Sequence, residues 1–187
     1  GANALQPNTT GASNTALGKG ALASNTTASS NTAVGFESLV ANTTGANNTA
    51  VGALALDANT TGGSLAAFGK NALGANTTGH QCVAVGTEAL NANTTANDNV
   101  ALGYQALTAN TTGNANVAVG KNSLAANTTG DRNVAVGLNA LAAQNPASNA
   151  DMYNTAVGYT AGAAVTTGIS NTLVGGLAGQ GITTGDN

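Results

Sequence analysis

The chain has 187 residues, of which only 6% are charged and 3% aromatic, and four basic against seven acidic residues leave a formal charge of −3. Four Lys and Arg residues cannot build a phosphate-neutralising surface, which excludes nucleic acid as a partner, and a single Cys supplies neither an intrachain disulfide nor a zinc cluster. No apolar run approaches the ~20 residues of a membrane span and no secretion signal is recognisable, so no membrane insertion is expected of this segment.

Hydrophobic residues reach 42%, but Ala supplies the larger part of that share, so the large side chains of an ordinary globular core are scarce. With Gly at the start and Met152 the only methionine, the chain is expected to be a processed product or a segment of something longer.

A repeat organises the whole sequence. Glycines follow an apolar pair at Gly18, Gly35, Gly52, Gly69, Gly86, Gly103, Gly120 and Gly137, each 17 residues apart; Gly158 follows after 21 and Gly175 after 17 more. One unit reads Gly-x-x-Ala-Leu-x-Ala-Asn-Thr-Thr-Gly-x-x-Asn-Thr/Val-Ala-Val, numbered here as positions 1 to 17. That period is too short for a helix-turn-helix repeat and too long for a collagen or heptad repeat.

Along each unit, positions 4 to 10 (Ala106 to Thr112 in one copy) and positions 14 to 17 (Asn116 to Val119) are β-compatible stretches, with glycines at 1 and 11 for the corners. The expected fold is all-β, a parallel β-solenoid with one 17-residue repeat per coil and coils ~4.8 Å apart. It forms a single array over residues 1–187 of about eleven coils, with an irregular coil at 137–157 and variant coils at 158–187.

Position 5 is Leu in the first nine units and position 17 is Leu, Val or Phe throughout, so both ladders are expected inside the coil. By alternation along a strand, positions 4 and 16 then face outward. Position 16 is Ala in nine of ten units and position 4 is always Ala or Ser. An outward face restricted to small side chains predicts close contact with other copies of the chain, most simply a homotrimer. Charges avoid positions 4, 5, 15, 16 and 17, confining solvent to two corners and part of one strand.

The unit Asn-Thr-Ala-Val-Gly-x-x-Ala-Leu-x-Ala-Asn-Thr-Thr-Gly resembles the repeats of bacteriophage tail-fibre proteins and related bacterial surface proteins. Asn116-Val117-Ala118-Val119-Gly120 is more distantly similar to the head repeats of trimeric autotransporter adhesins. The resemblance implies parallel β-rolls assembled as homotrimers, with alternate apolar residues of the strand inside each roll. The 17-residue period departs from the shorter autotransporter repeat, so handedness is not carried over.

The Asn-Thr-Thr series starting at Asn8, Asn25, Asn42, Asn59, Asn76, Asn93, Asn110 and Asn127 is formally a set of glycosylation acceptors, as is Asn47. Stacked side chains that hydrogen-bond between coils are the expected role of the series. An ice-binding surface would use stacked outward Thr, but adjacent residues such as Thr9 and Thr10 point to opposite faces of an extended strand. No catalytic, cofactor or metal site is expected. His80 stands at a corner without a partner at triad or ligand spacing, and Cys82 reads as a small packed residue.

Two irregularities are candidates for binding. Unit nine carries four extra residues across 144–153, expected as an outward loop in which Asn145, Pro146, Ser148, Asp151 and Tyr153 are exposed. Position 2 presents Phe36, Tyr104, Leu138 and Tyr159 as a candidate surface stripe. In the last two units the position-5 Leu becomes Gly162 and Gly179 while position 8 becomes Val165 and Ile182, which predicts repacking of the interior.

The expected function is structural: a shaft or head segment of a trimeric fibre, on a virion tail or a bacterial cell surface, presenting a receptor-binding tip. Its partners would be copies of itself, other parts of a longer fibre and a host receptor or glycan. An ice-binding solenoid and a direct glycan- or receptor-binding module are the alternatives.

Overall fold

A computed structural model describes residues 1–186, and these contain strands and turns but no helix. One strand recurs in each coil, formed by positions 15 to 17: β1 Thr15–Leu17, β2 Thr32–Val34, β3 Thr49–Val51, β4 Ala66–Phe68, β5 Val83–Val85, β6 Val100–Leu102, β7 Val117–Val119, β9 Val134–Val136, β11 Thr155–Val157 and β12 Thr172–Val174. The β-branched Val and Thr at these positions are stiff at χ1 and suit a pleated surface. Two short strands pair at the insertion, β10 Ala150–Asp151 within it and β8 Gly130–Asp131 in the preceding regular coil.

The ten regular strands form one parallel sheet in chain order. Register is strict, as in Thr32↔Thr49, Ala33↔Ala50 and Val34↔Val51, and it continues across the insertion in Val134↔Thr155. A strand that always pairs with its own repeat in the next coil defines a parallel β-solenoid, here bracketing nine complete turns.

The second β-compatible stretch is not a strand. Positions 1 to 8 fold into successive turns held by short-range bonds such as Ala21 N to Gly18 O and Asn25 N to Leu22 O. Left-handed residues at positions 3 and 5, Glu37 (φ 52°) and Leu39 (φ 50°) in one coil, build these turns. Each such residue costs ~1–2 kcal/mol, and the gain is that two consecutive side chains, Ala21 and Leu22, both point into the coil and are fully buried. Strict alternation therefore does not apply there.

The interior is also inverted relative to expectation at the strand. Position 16 faces inward: Ala33, Ala50, Ala67, Ala84, Ala101 and Ala118 are completely buried. Position 17 faces outward, with Leu17 64%, Phe68 41% and Val174 69% exposed. Small Ala at 4 and 16 packs against Leu at 5 across a narrow core; it does not line a surface against other chains. Outward positions also include 15, and solvent reaches more of the perimeter than two corners.

The last coils confirm which residues face each other. Leu173, the one Leu at position 16, occupies the volume vacated at position 5, since a Cβ on Gly162 or on Gly179 would lie 2.8 Å from a Leu173 methyl. Val165 is buried beside it. Gly at position 1 is fixed by two constraints at once: its φ lies at 126–142° in every coil from Gly18 onward, and a Cβ on any of them from Gly18 to Gly158 would press into the Gly carbonyl of the following coil.

The insertion is accommodated without loss of register. Gly130 and Asp131 pair in parallel with Ala150 and Asp151, so the extra residues add a two-stranded patch. Pro146 and Met152 turn inward, in contrast to the fully outward loop expected, while Asn145, Ser148, Asp151 and Tyr153 are exposed. Met152 packs over Gly130, where only a residue without a side chain leaves room.

Candidate functional site

The described surface has no pocket and no group of three metal-type ligands. What it offers is long files of identical side chains, one per coil. Their exposure is decided by what the interior consumes.

Position 8 asparagines form a buried amide ladder. Asn59 Nδ2 donates to Asn42 Oδ1 at 2.9 Å and to Gly62 O at 3.0 Å, and Asn76 Nδ2 donates in turn to Asn59 Oδ1 at 2.8 Å. The series runs from Asn8 to Asn127, where Gln144 closes it: Gln144 Nε2 reaches Asn127 Oδ1 at 3.5 Å and its Oε1 accepts from Asn154 Nδ2 at 3.2 Å. A second ladder at position 14 caps backbone, as when Asn48 N donates to Asn31 Oδ1 at 3.0 Å. Leu65 and Cys82 interrupt it. The sequon asparagines from Asn25 to Asn127 are thus fully buried and spent on structure, whereas Asn47 is exposed.

Position 12 carries a row of side chains that cap the outward N–H of the preceding coil. Gly63 N donates to His80 Nδ1 at 2.9 Å, His80 N to Asn97 Oδ1 at 2.7 Å and Asn97 N to Asn114 Oδ1 at 2.9 Å. His80 therefore has a backbone-capping role at its corner. Cys82 is buried, and desolvation pushes its thiol up to about 11, which is the opposite of what a nucleophile needs.

The Thr-Thr corner differs from an extended strand. Both Thr43 and Thr44 are exposed because the chain bends there. Position 9 hydroxyls are largely committed, as Thr60 Oγ1 donates to Thr77 O at 3.0 Å, and position 10 leaves one exposed file. Asn145 takes the place of Thr in the position-9 series, accepting from Thr128 Oγ1 at 2.7 Å, and Thr166 resumes the series by donating from Oγ1 to Thr183 O at 3.1 Å.

The remaining insertion residues cluster with a neighbour. The Arg132 guanidinium pairs with the Asp151 carboxylate and lies 5.9 Å from the centroid of the Tyr153 ring, and the Tyr153 hydroxyl donates to Asp151 Oδ2 at 3.1 Å. Ser148 joins no part of this cluster's hydrogen bonding. At position 2 the side chains of Phe36, Tyr104, Leu138 and Tyr159 are exposed. Two of its rings carry a cation: Lys19 Nζ is 5.7 Å from the Phe36 centroid and Lys121 Nζ 5.8 Å from that of Tyr104.

Sequence reasoning missed the largest feature. Positions 15 and 17 point outward from all ten strands and form an uncharged face of Thr, Val, Leu, Ala and Phe. The signal that exposes it is the coincidence of Leu173 with Gly162 and Gly179, which shows that 16 shares the interior with 5 and therefore that 15 and 17 do not.

No family model, curated protein or solved structure matches the chain.

Proposed function

We propose that this chain is a rigid shaft or head segment of a homotrimeric fibre, outside the cell on a virion tail or a bacterial surface, that spans distance and holds a receptor-binding tip. The observation that carries the reading is the unbroken parallel register of ten coils, maintained even across the four-residue insertion. In such an array each coil contacts only its neighbours, so stability accumulates coil by coil and bending would have to break a continuous ladder. The buried amide ladder adds directional bonds along the same axis. The tail-fibre and adhesin resemblance of the repeat supplies the setting.

The test is a purified chain examined by small-angle scattering, unboiled SDS gels and timed proteolysis. An elongated particle that migrates as three chains and resists protease supports the shaft. A compact particle that is digested rapidly sinks it.

A second reading, an ice-binding solenoid, is favoured by one observation: positions 15 and 17 present a two-dimensional outward array, with Thr32 and Val34 above Thr49 and Val51. Thermal hysteresis and ice shaping by the purified chain would establish it, and their absence removes it.

A further inference from the structure

We infer that the array has a built-in opening point between β4 and β5, where the coils part more readily than on either side and uncover the buried thiol of Cys82. The inference does not depend on the fibre reading, because it concerns the order in which the coils of this rod separate.

The position-14 ladder shows where. In a regular coil the asparagine there makes two bonds to the following coil. Asn31 Oδ1 accepts from Asn48 N at 3.0 Å, and Asn31 Nδ2 donates to Gly45 O at 2.9 Å. Asn48 repeats both bonds with Leu65 N and Gly62 O. Beyond the gap Asn99 does the same with Asn116 N and Gly113 O, and Asn116 with Asn133 N and Gly130 O. Leu65 has no polar side-chain atom, so it neither accepts from Cys82 N nor donates to Gly79 O. Among the described residues Cys82 N has no acceptor, although Cys82 is completely buried. One coil later Cys82 offers only a thiol, a weak donor and acceptor, whose Sγ reaches Ala96 O at 3.5 Å. Two successive coil boundaries therefore lack the pair of amide bonds that fixes those flanking them.

The main-chain bond that begins each strand responds. It runs from the position-15 N–H to the position-14 carbonyl of the next coil, and it measures 2.8 Å in seven of nine coil pairs. Ala66 N to Cys82 O is the longest at 3.0 Å, followed by Val83 N to Asn99 O at 2.9 Å. Burial of Leu65 offsets part of the loss. That contribution is non-directional, however, and tolerates a shift of one coil over the next, which an amide bond of fixed length and angle does not.

Opening also has an asymmetric effect on the buried N–H groups. Parting β4 from β5 lets water reach Cys82 N, a donor with no partner in the closed coil, whereas parting a flanking pair breaks bonds already made. In a solenoid local stability follows nearest neighbours, so one weak boundary opens without loosening the coils beyond it. The rod thus has a compliant joint, and the chain's only thiol lies on its parting surface.

Native-state hydrogen exchange tests this through the amides that bridge each coil pair: Ala66 and Gly86 for β4 with β5, Thr32 and Gly52 for β2 with β3, Val100 and Gly120 for β6 with β7. After correction for intrinsic rates, Ala66 and Gly86 are expected to exchange ~10-fold faster than the other four, the factor set by about one net hydrogen bond. L65N/C82N, which puts the repeat's own residue at both places, is expected to bring all six level. Wild-type rates at Ala66 and Gly86 that are equal to the others or slower overturn the inference, and so does a folded L65N/C82N chain in which these two still exchange fast. Should that variant fail to fold, alkylation of Cys82 in the wild-type chain decides. In urea below the main unfolding transition Cys82 is expected to be labelled while Thr32 and Gly52 keep their protection. Labelling that begins only with global unfolding overturns the opening point.

Discussion

Asn59 donates one amide proton to Asn42 Oδ1 at 2.9 Å and the other to Gly62 O at 3.0 Å, so that its side chain joins two coils and closes its own corner at once. Both bonds are fully buried. N59A would leave Asn42 Oδ1 without its donor and would deprive one of the two Asn76 Nδ2 protons of its acceptor Asn59 Oδ1, the other staying on Gly79 O. The expected loss is ~2–4 kcal/mol, since each buried unpaired polar group costs ~1–3 kcal/mol. Chemical denaturation measures it. A loss under about half a kilocalorie would show that water replaces the amide. The chain's own substitutions, Val165 and Ile182, lie beyond Gln144, where the ladder has already ended.

Leu173 and Gly162 are a matched pair, and each is predicted to be harmful to change alone. L173A empties the space beside Gly162, Gly179 and Leu141 and should cost ~2–5 kcal/mol. G162L forces a side chain into the Leu173 methyls, although its φ of 59° is one that Leu accepts elsewhere at this position, as Leu141 does at 50°. The double variant L173A/G162L restores the pattern of the preceding coils and should recover most of either loss. Thermal melts of the four proteins form a double-mutant cycle, and strict additivity would contradict the shared volume.

The period, the parallel register and the one-coil repeat follow from spacing alone, because a ladder needs identical residues at identical intervals. The inside-outside assignment of the strand does not. Side-chain size suggests that the larger residues of position 17, such as Val34, lie inside and the Ala of position 16 outside, whereas the coil is so narrow that Ala33 and Leu22 fill it and Val34 is left outward. Left-handed Leu22 also hides a second inward neighbour, Ala21, from any period-two reading. Pro146 and Met152 are not recognisable as interior residues in the sequence, because the short pairing of Gly130–Asp131 with Ala150–Asp151 that draws them in has no repeat signature.

Cys82 is predicted to be silent toward thiol reagents in the folded chain. Burial raises its thiol to about 11, so at mildly alkaline pH it is protonated as well as inaccessible. Ellman's reagent should react with no thiol in buffer and one per chain in denaturant. Rapid native labelling would mean that this coil opens readily.

Asp57 gives the array a small pH dependence. Desolvation, reinforced by the nearby Glu37 carboxylate, raises its pKa above the usual 3.8 against weaker lowering by backbone bonds. A raised acid favours the protonated folded state, so its contribution is present below the unfolded value and lost as pH rises through the folded one. D57N should therefore stabilise the chain at about pH 7, by well under ~1 kcal/mol given solvent screening, and show no gain at about pH 3. Melts at the two pH values test this, and a gain equal at both would assign the effect to something other than ionisation.

Gly86 concentrates the geometric demand of the whole repeat. Its φ of 133° belongs to a region that side-chain-bearing residues avoid, and a Cβ would drive into the carbonyl of Gly103 in the next coil. G86A must therefore either distort its own backbone or push the following coil away. The second route breaks the bond from Gly103 N to Val85 O, now 2.8 Å, and the parallel pairing of β5 with β6. The expected cost is at least ~1–3 kcal/mol from the backbone conformation alone. Hydrogen exchange locates it: the amides that bridge the two coils, Val83 to Asn99 O and Gly103 to Val85 O, should lose protection while those near Thr32 to Val34 keep theirs, because each coil contacts only its neighbours. Uniform loss of protection along the array would show that the rod unfolds as one unit and that its coils are not independent rungs.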